Sequence, residues 1–331
     1  MSPADSSNNT AGGLSAEQKS HFLTHGFIHL PQCFSREASA AFTANLWTRL
    51  GMSPTDKSTW HTERTNMPSF NSVLISEFAP KAWSAICELL GGEERISDDT
   101  KVWKDSFIVN LEIEGQGAVP FRELDGWHVD GDFFLHFLDS PEQALLVIPI
   151  FSDIGPGGGG TAICTDGIRV TAKHLYENPN GVTPWMHVRG TPEPGRGPER
   201  LAFFTSIVQS RERASDASFH EMTGEVGDVY LLHPLMVHSA TKNATRVPRV
   251  ITNPPVALRE PFRFNAGGDG KFSLVEQKTL KELGFPEGLN DWKIEGGREM
   301  IVPRRIKIQE EMKERERERL ENLKEGKQNG F

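Results

Sequence analysis

"GDVYLLHPLMVHSATKNATRVPRVI", residues 227–251, holds short runs of β-branched, aromatic and aliphatic residues bounded by Gly, Pro and Asn. The Gly-Asp turn opens a strand at Val229, "LMVHS" continues it beyond Pro234, and "PRVI" resumes an apolar strand. The same texture runs upstream. "SFIVNLEI" (106–113), "GWHVDGDFF" (126–134), "ALLVIPIF" (144–151), "GTAICT" (160–165) and "LAFFTS" (201–206) all read as strands, as does "PRVITNPPVAL" (248–258) downstream. Many short strands in series, with few helices between them, predict a sandwich or barrel and disfavour a parallel α/β sheet.

The flanks read differently. Residues 1–14 are expected to form a disordered tail. Ser15 and Gln18 form a capping-box pattern before a helix that Gly26 stops. "FSREASAAFTANLWTRLG" predicts a second helix, capped by Ser35 and ended by Gly51, and "SEFAPKAWSAICELLGG" a third. Beyond residue 260, Ser273 and Glu276 cap a helix that ends at Gly284. "IQEEMKERERERLENLKEG" then reads as a solvated helix docking along one edge, with Glu311–Arg315 and Glu316–Arg319 pairs. The expected organisation is a helical opening (15–100), a β core (101–260) and a C-terminal helical extension (261–331). Residues 179–198 hold nine Pro or Gly in twenty positions and predict a lid over a site or a disordered insert.

Composition narrows the function classes. With 331 residues, 37% hydrophobic content and seven Trp, the chain can build a substantial core. A net charge of −9 excludes a general nucleic-acid backbone binder. Cys33, Cys87 and Cys164 are odd in number and widely spaced, so they form neither a disulfide framework nor a zinc motif. No apolar run approaches the roughly 20 residues of a membrane span, and the N-terminus lacks an apolar signal core. A soluble, cytoplasmic monomer or homodimer acting on a small molecule, without membrane or nucleic acid, is the expectation.

Within the β region, His128 and Asp130 occupy i and i+2 and project from one strand face. An imidazole nitrogen and a carboxylate oxygen there make two vertices of a metal polyhedron. Two His and one carboxylate form the facial triad of non-haem Fe(II) oxygenases. His136, His174, His187, His220, His233 and His238 are candidates for the third ligand. Periodicity does not choose between His233 and His238, because Pro234 allows a bulge. Asp132 reads as an outer carboxylate or turn residue. His136 reads as a core or pocket residue, and "GPGGGG" (155–160) as a turn, since no Gly-Lys-Ser/Thr follows it.

"WHVDGD", a Gly-rich turn before "TAI", and then "GDVYLLHPLMVHSATKNATRVPR" together resemble the phytanoyl-CoA dioxygenase family of Fe(II)/2-oxoglutarate oxygenases, over roughly residues 15–260. The resemblance implies a double-stranded β-helix (jelly-roll, cupin-like) core, mainly β with flanking helices. It implies Fe(II) held by His128, Asp130 and His238, with O2 and 2-oxoglutarate as cosubstrates. Arg249, eleven residues after His238, falls on the family's 2-oxoglutarate arginine, and His233 on a non-ligand position. A planar guanidinium suits the far carboxylate of 2-oxoglutarate; Arg246 is the rival. Thr161 is a further expected cosubstrate contact, and Trp127 and Trp185 are expected substrate contacts. Asp125 stands where the family often has Gln, so it should point away from the cosubstrate or serve the substrate. Asp130 is intact where related halogenases have Gly or Ala, which implies hydroxylation, desaturation or ring closure of a small metabolite, such as a secondary-metabolite intermediate. The competing reading is a cupin-like hydrolase, isomerase or binding protein, which has no need of Arg249.

Overall fold

The computed structural model describes residues 13–111, 117–192, 197–265 and 272–326. Helix α1 (Ala16–His25) starts at the Ser15/Gln18 capping box and stops at left-handed Gly26, then β1 (Phe27–Leu30) follows. Leu14 does not belong to a free tail: it is buried, and its N–H donates to Glu88. The second predicted helix is two, α2 (Arg36–Phe42) and α3 (Leu46–Leu50), and the third is also split, into α4 (Ile75–Phe78) and α5 (Pro80–Leu90). Pro80 explains the second break, since its ring suits a helix start and disfavours helical geometry at Ala79. Between them lie β2 (Arg64–Asn66) and β3 (Ser72–Leu74).

The central region supplies β4 (Val102–Lys104), β5 (Ile108–Asn110), β6 (Leu145–Pro149), β7 (Thr161–Cys164), β8 (Phe219–Met222), β9 (Val229–Leu232), β10 (Val237–Ala240), β11 (Arg249–Ile251) and β12 (Pro255–Val256). Helices α6 (Gly167–Glu177) and α7 (Ala202–Gln209) interrupt this series, and α8 (Leu274–Leu283) and α9 (Arg305–Lys324) close the chain. The fold is therefore mixed α/β with antiparallel sheets and is not mainly β.

"LAFFTS" is the clearest reversal, because it opens α7 and not a strand. Phe204, Ile207 and Val208 are its buried residues, at helical i, i+3, i+4 spacing. A short apolar run does not by itself separate the two periods. "GWHVDGDFF" forms no strand either. Two isolated bridges pair it instead: His128 to His238, between Gly126 and Gly131 (both at positive φ), and Phe134 to Met300.

One sheet orders β1-β9-β6-β12, a second β10-β7-β8, a third β11-β5-β2, and β3 pairs with β4. All the pairings are antiparallel. An Ile150–Ile251 bridge joins the first and third sheets, and the His128–His238 bridge adds a short rung beside β10. The strand expected to run through Pro234 instead changes sheet: β9 pairs with β1 and β6, and β10 with β7. That crossing sends His233 and His238 to different places. The core is apolar on both sides of β6 and β9, whose residues are all buried, as purely internal strands require.

The C-terminal helix departs most from expectation. Glu316 is buried and pairs with Arg49 at 2.8 Å, while Arg49 also meets Asp105 at 3.0 Å. Arg319 donates to the Arg49 carbonyl, so neither Glu316 nor Arg319 forms the expected surface pair. Within α9, Arg317 pairs with Glu314. Among the described residues no helix is long and apolar enough to cross a membrane.

Candidate metal centre

His128, Asp130 and His238 come together: one ligand atom from each lies within 4.8 Å of the others. The Nε2 atoms of His128 and His238 stand 3.3 and 3.5 Å from the same oxygen, Asp130 Oδ1. Each ring is fixed from behind by a backbone carbonyl. His128 Nδ1–H donates to Gly126 at 2.7 Å, and His238 Nδ1–H to Met236 at 3.0 Å. Carbonyls only accept, so each Nδ1 keeps its proton and each Nε2 offers a lone pair toward Asp130. Asn253 Nδ2 donates to Asp130 Oδ2 at 3.0 Å, which leaves Oδ1 facing the rings.

Burial alone would raise the Asp130 carboxyl; His238 and His128 outweigh it and hold it well below the usual range. Burial likewise opposes charging His128, but Asp130, together with the Gly126 carbonyl and Asp132, offsets it and its pKa rises. Two imidazoles, which yield any Nε2 proton when a metal binds, and one carboxylate, all fixed in orientation, are the donor set of a divalent transition metal.

The other candidate histidines lie outside the cluster. His233 is fully buried: its Nδ1 accepts from Leu235 N–H, and its Nε2–H donates to Thr279 Oγ1. His136 donates from Nε2 to the Gly131 carbonyl and stacks on Phe134. His174 donates to the Met186 carbonyl, and His220 packs against Phe27. His187 Nε2 is buried without a hydrogen bond and lies outside the cluster.

A cavity of about 650 Å³ adjoins the cluster, and Arg249, Thr161, Trp185 and Arg305 are among its lining residues. Arg249 is 1% exposed. Its Nε donates to the Gly159 carbonyl at 2.8 Å and its Nη1 to the Ile108 carbonyl at 3.2 Å. The Gly-rich turn is therefore part of the site. Gly159 sits at φ 77°, and a Cβ there would lie 2.7 Å from Asn110 Nδ2 and 2.8 Å from Asn243 Cβ. Only glycine lets that carbonyl reach the guanidinium. Burial first, and Arg64 second, pull the Arg249 pKa down to about 9. Arg246 sits in a left-handed turn and does not line the cavity.

Trp127 needs correction: it does not line the cavity. It is 1% exposed, packs edge-on against Phe219, and donates its indole N–H to the Phe121 carbonyl. The backbone around His128 is extended, so Trp127 faces the core while its neighbour His128 faces the cavity. Trp185 does reach the cavity, with the Arg200 guanidinium 3.5 Å over its ring. Part of the 179–198 segment, residues 193–196, lies outside the described residues. Asp125 is exposed and points away from the cavity; its carbonyl accepts from Ser239 Oγ. Asp132 is not in the metal cluster and binds Arg305 through two bonds of 2.7 Å.

Sequence reasoning missed Asn253 and Arg305. Asn253 had a signal, since Arg249, Ile251 and Asn253 alternate along one strand direction and all line the cavity. Arg305 had none: it arrives from a helix 173 residues away from Asp132.

No protein-family model matches the chain, and no curated protein matches its sequence. Among solved structures, the chain resembles several at low identity. The epimerase SnoN, in complex with Fe3+, alpha-ketoglutarate and nogalamycin RO, is 15% identical, with a TM-score of 0.39 over 73% of this chain and 82% of that one. HygX from Streptomyces hygroscopicus, with nickel, 2-oxoglutarate and hygromycin B bound, is 12% identical, with a TM-score of 0.42 over 76% and 90%. The carbocyclase SnoK from nogalamycin biosynthesis is 15% identical, with a TM-score of 0.40 over 91% and 100%. Overlaps this distant assign this chain neither a substrate nor a reaction.

Proposed function

We propose that the chain is an Fe(II)- and 2-oxoglutarate-dependent oxygenase of a small metabolite, built on a double-stranded β-helix and akin to the phytanoyl-CoA dioxygenase family. One observation carries the reading: two tautomer-fixed imidazoles and one oriented carboxylate share a cavity with a buried guanidinium that has no carboxylate partner among the described residues. The strand pairings support the β-helix. β2-β5-β11 meets β12-β6-β9-β1 through the Ile150–Ile251 bridge, and the His128 rung meets β10-β7-β8.

In this reading His128, Asp130 and His238 hold the iron. The chemistry it supplies when bound is activation of O2, coupled to decarboxylation of 2-oxoglutarate to succinate and CO2 and to oxidation of an unactivated carbon. Arg249 receives the far carboxylate. Gly159 and Ile108 take two of its five N–H groups and fix its plane, so the remaining donors are preorganised for a carboxylate. Thr161, at the start of β7, contacts the cosubstrate, and Trp185 contacts the substrate, with residues 179–198 as the lid. Because Asp130 is retained, hydroxylation, or a variant such as desaturation or ring closure, is favoured over halogenation. Residues 15–260 form the oxygenase domain, and the extension joins it at the site through Arg305.

Incubating purified protein with Fe(II), ascorbate and 2-oxoglutarate tests the reading. Succinate should form, and Arg249→Ala should abolish it. Hydrolytic activity with zinc and no succinate with iron would favour a cupin-like hydrolase instead.

A further inference from the structure

Arg64 and Arg249 flank Asn110 on opposite sides. Arg64 opposes Asn110 across the β2–β5 pair, and Arg249 opposes it across the β11–β5 pair. Directly opposed residues in antiparallel pairs present their side chains on one face. The two arginines therefore share a face, two strand spacings or roughly 10 Å apart at the backbone, and both line the cavity.

Among the described residues this end of the cavity is uncompensated. There, the one ion-pair contact of Arg64 is a long one with Glu63, at 3.9 Å, and Lys242 takes the same Glu63 oxygen at 3.0 Å. The hydrogen bonds of Arg249 go to neutral carbonyls. The acids lining the cavity are Asp99, Asp130 and Asp132. Asp130 faces the imidazoles, Asp132 is bound by Arg305, and Asp99 has no bond to either arginine among the described residues. Two guanidiniums lining one end of a cavity, without a carboxylate partner among the described residues, suit an anion, because the buried Arg249 cation is costly if left alone. In a chain of net charge −9, an unpaired cation facing inward also stands against the general balance.

We propose that Arg64 is a second positioning residue for the cosubstrate, so that the far carboxylate of 2-oxoglutarate is bound jointly by Arg249 and Arg64. The inference rests on the 2-oxoglutarate reading above and deepens it. Arg249 is buried and held on two sides, so it sets the position of the carboxylate. Arg64 lies on the edge strand β2 and is exposed, so it closes on the carboxylate from the solvent side.

The test measures dissociation constants for 2-oxoglutarate and for 2-oxopentanoate, which lacks the far carboxylate, on anaerobic Fe(II)-loaded protein. It compares wild type with Arg64→Gln, Arg64→Lys and Arg249→Gln. Glutarate binding to the metal-free protein gives a readout independent of iron and turnover. Arg64→Gln should weaken 2-oxoglutarate and glutarate about tenfold, the effect being limited by solvent screening, and leave 2-oxopentanoate unchanged. Arg64→Lys should recover part of the loss. If Arg249→Gln loses 2-oxoglutarate and Arg64→Gln does not, the role of Arg64 is overturned while the cosubstrate reading stands. Equal weakening of both oxo acids by Arg64→Gln would also overturn it. If neither variant changes binding of any of the acids, the cosubstrate reading itself fails. Arg64 is on an exposed edge, so matched melting curves should confirm an intact fold.

Discussion

Asn253 holds Asp130 by one oxygen and turns the other toward His128 and His238. The 3.0 Å bond from Nδ2 to Oδ2 leaves Oδ1 at 3.3 and 3.5 Å from the two Nε2 atoms. Without that donor the carboxylate is free to rotate. Asn253→Ala should therefore weaken Fe(II) binding by roughly 10- to 100-fold with little change in melting temperature. Equilibrium dialysis against Fe(II) measures this, and wild-type affinity in the variant would show that Asn253 does not orient the ligand.

His128 and Asp130 were legible as a candidate ligand pair because residue type and spacing carry their chemistry, whereas His238 and Arg249 were reached through the family resemblance. His128, Asp130, His238 and Arg249 are polar residues in β-rich surroundings, and polar side chains at such positions need partners. The choice between His233 and His238 was not legible from periodicity, since the answer depends on the chain changing sheets between Leu232 and Val237. The capping boxes at Ser15 and Ser273 were readable because they are local. The strand assignment of "LAFFTS" failed because six residues do not distinguish a buried strand from a helix face. The roles of Gly159, Arg305 and Glu316 depend on contacts across about a hundred residues or more, which no local pattern encodes.

Stability should fall with acid through two buried histidines. Burial, then Lys278, lowers His233 to about 3, and burial, partly offset by the bond to Gly131, lowers His136 to about 4. In the unfolded chain both titrate near 6.5. Below that pH the unfolded chain binds more protons than the native one. Their contribution is thus complete above about pH 6.5 and is lost as pH falls toward the folded values, by about 1.4 kcal/mol per pH unit for each. Urea unfolding of metal-free protein between pH 7.5 and 5 should show this, and His233→Gln should reduce the slope by about 1.4 kcal/mol per unit. An unchanged slope would mean that His233 is already protonated in the native state.

The C-terminal helix should be integral to the fold. Glu316→Ala leaves Arg49 buried with Asp105 as its remaining carboxylate, and removing one partner of a buried pair costs about 3 kcal/mol. Ile308, on the same helix, is 60% exposed, and Ile308→Ala should stay within about 0.5 kcal/mol. Denaturant midpoints compare the two. Similar small effects would mean that α9 only rests on the surface.

Iron stoichiometry in paired histidine variants tests the metal centre most directly. Wild type, His238→Ala and His233→Ala would each be loaded with Fe(II) without oxygen, desalted, and assayed for iron per chain. One iron should remain in wild type and in His233→Ala, whose ring is committed to Leu235 and Thr279, and essentially none in His238→Ala. Retention of iron by His238→Ala together with its loss from His233→Ala would contradict the assignment.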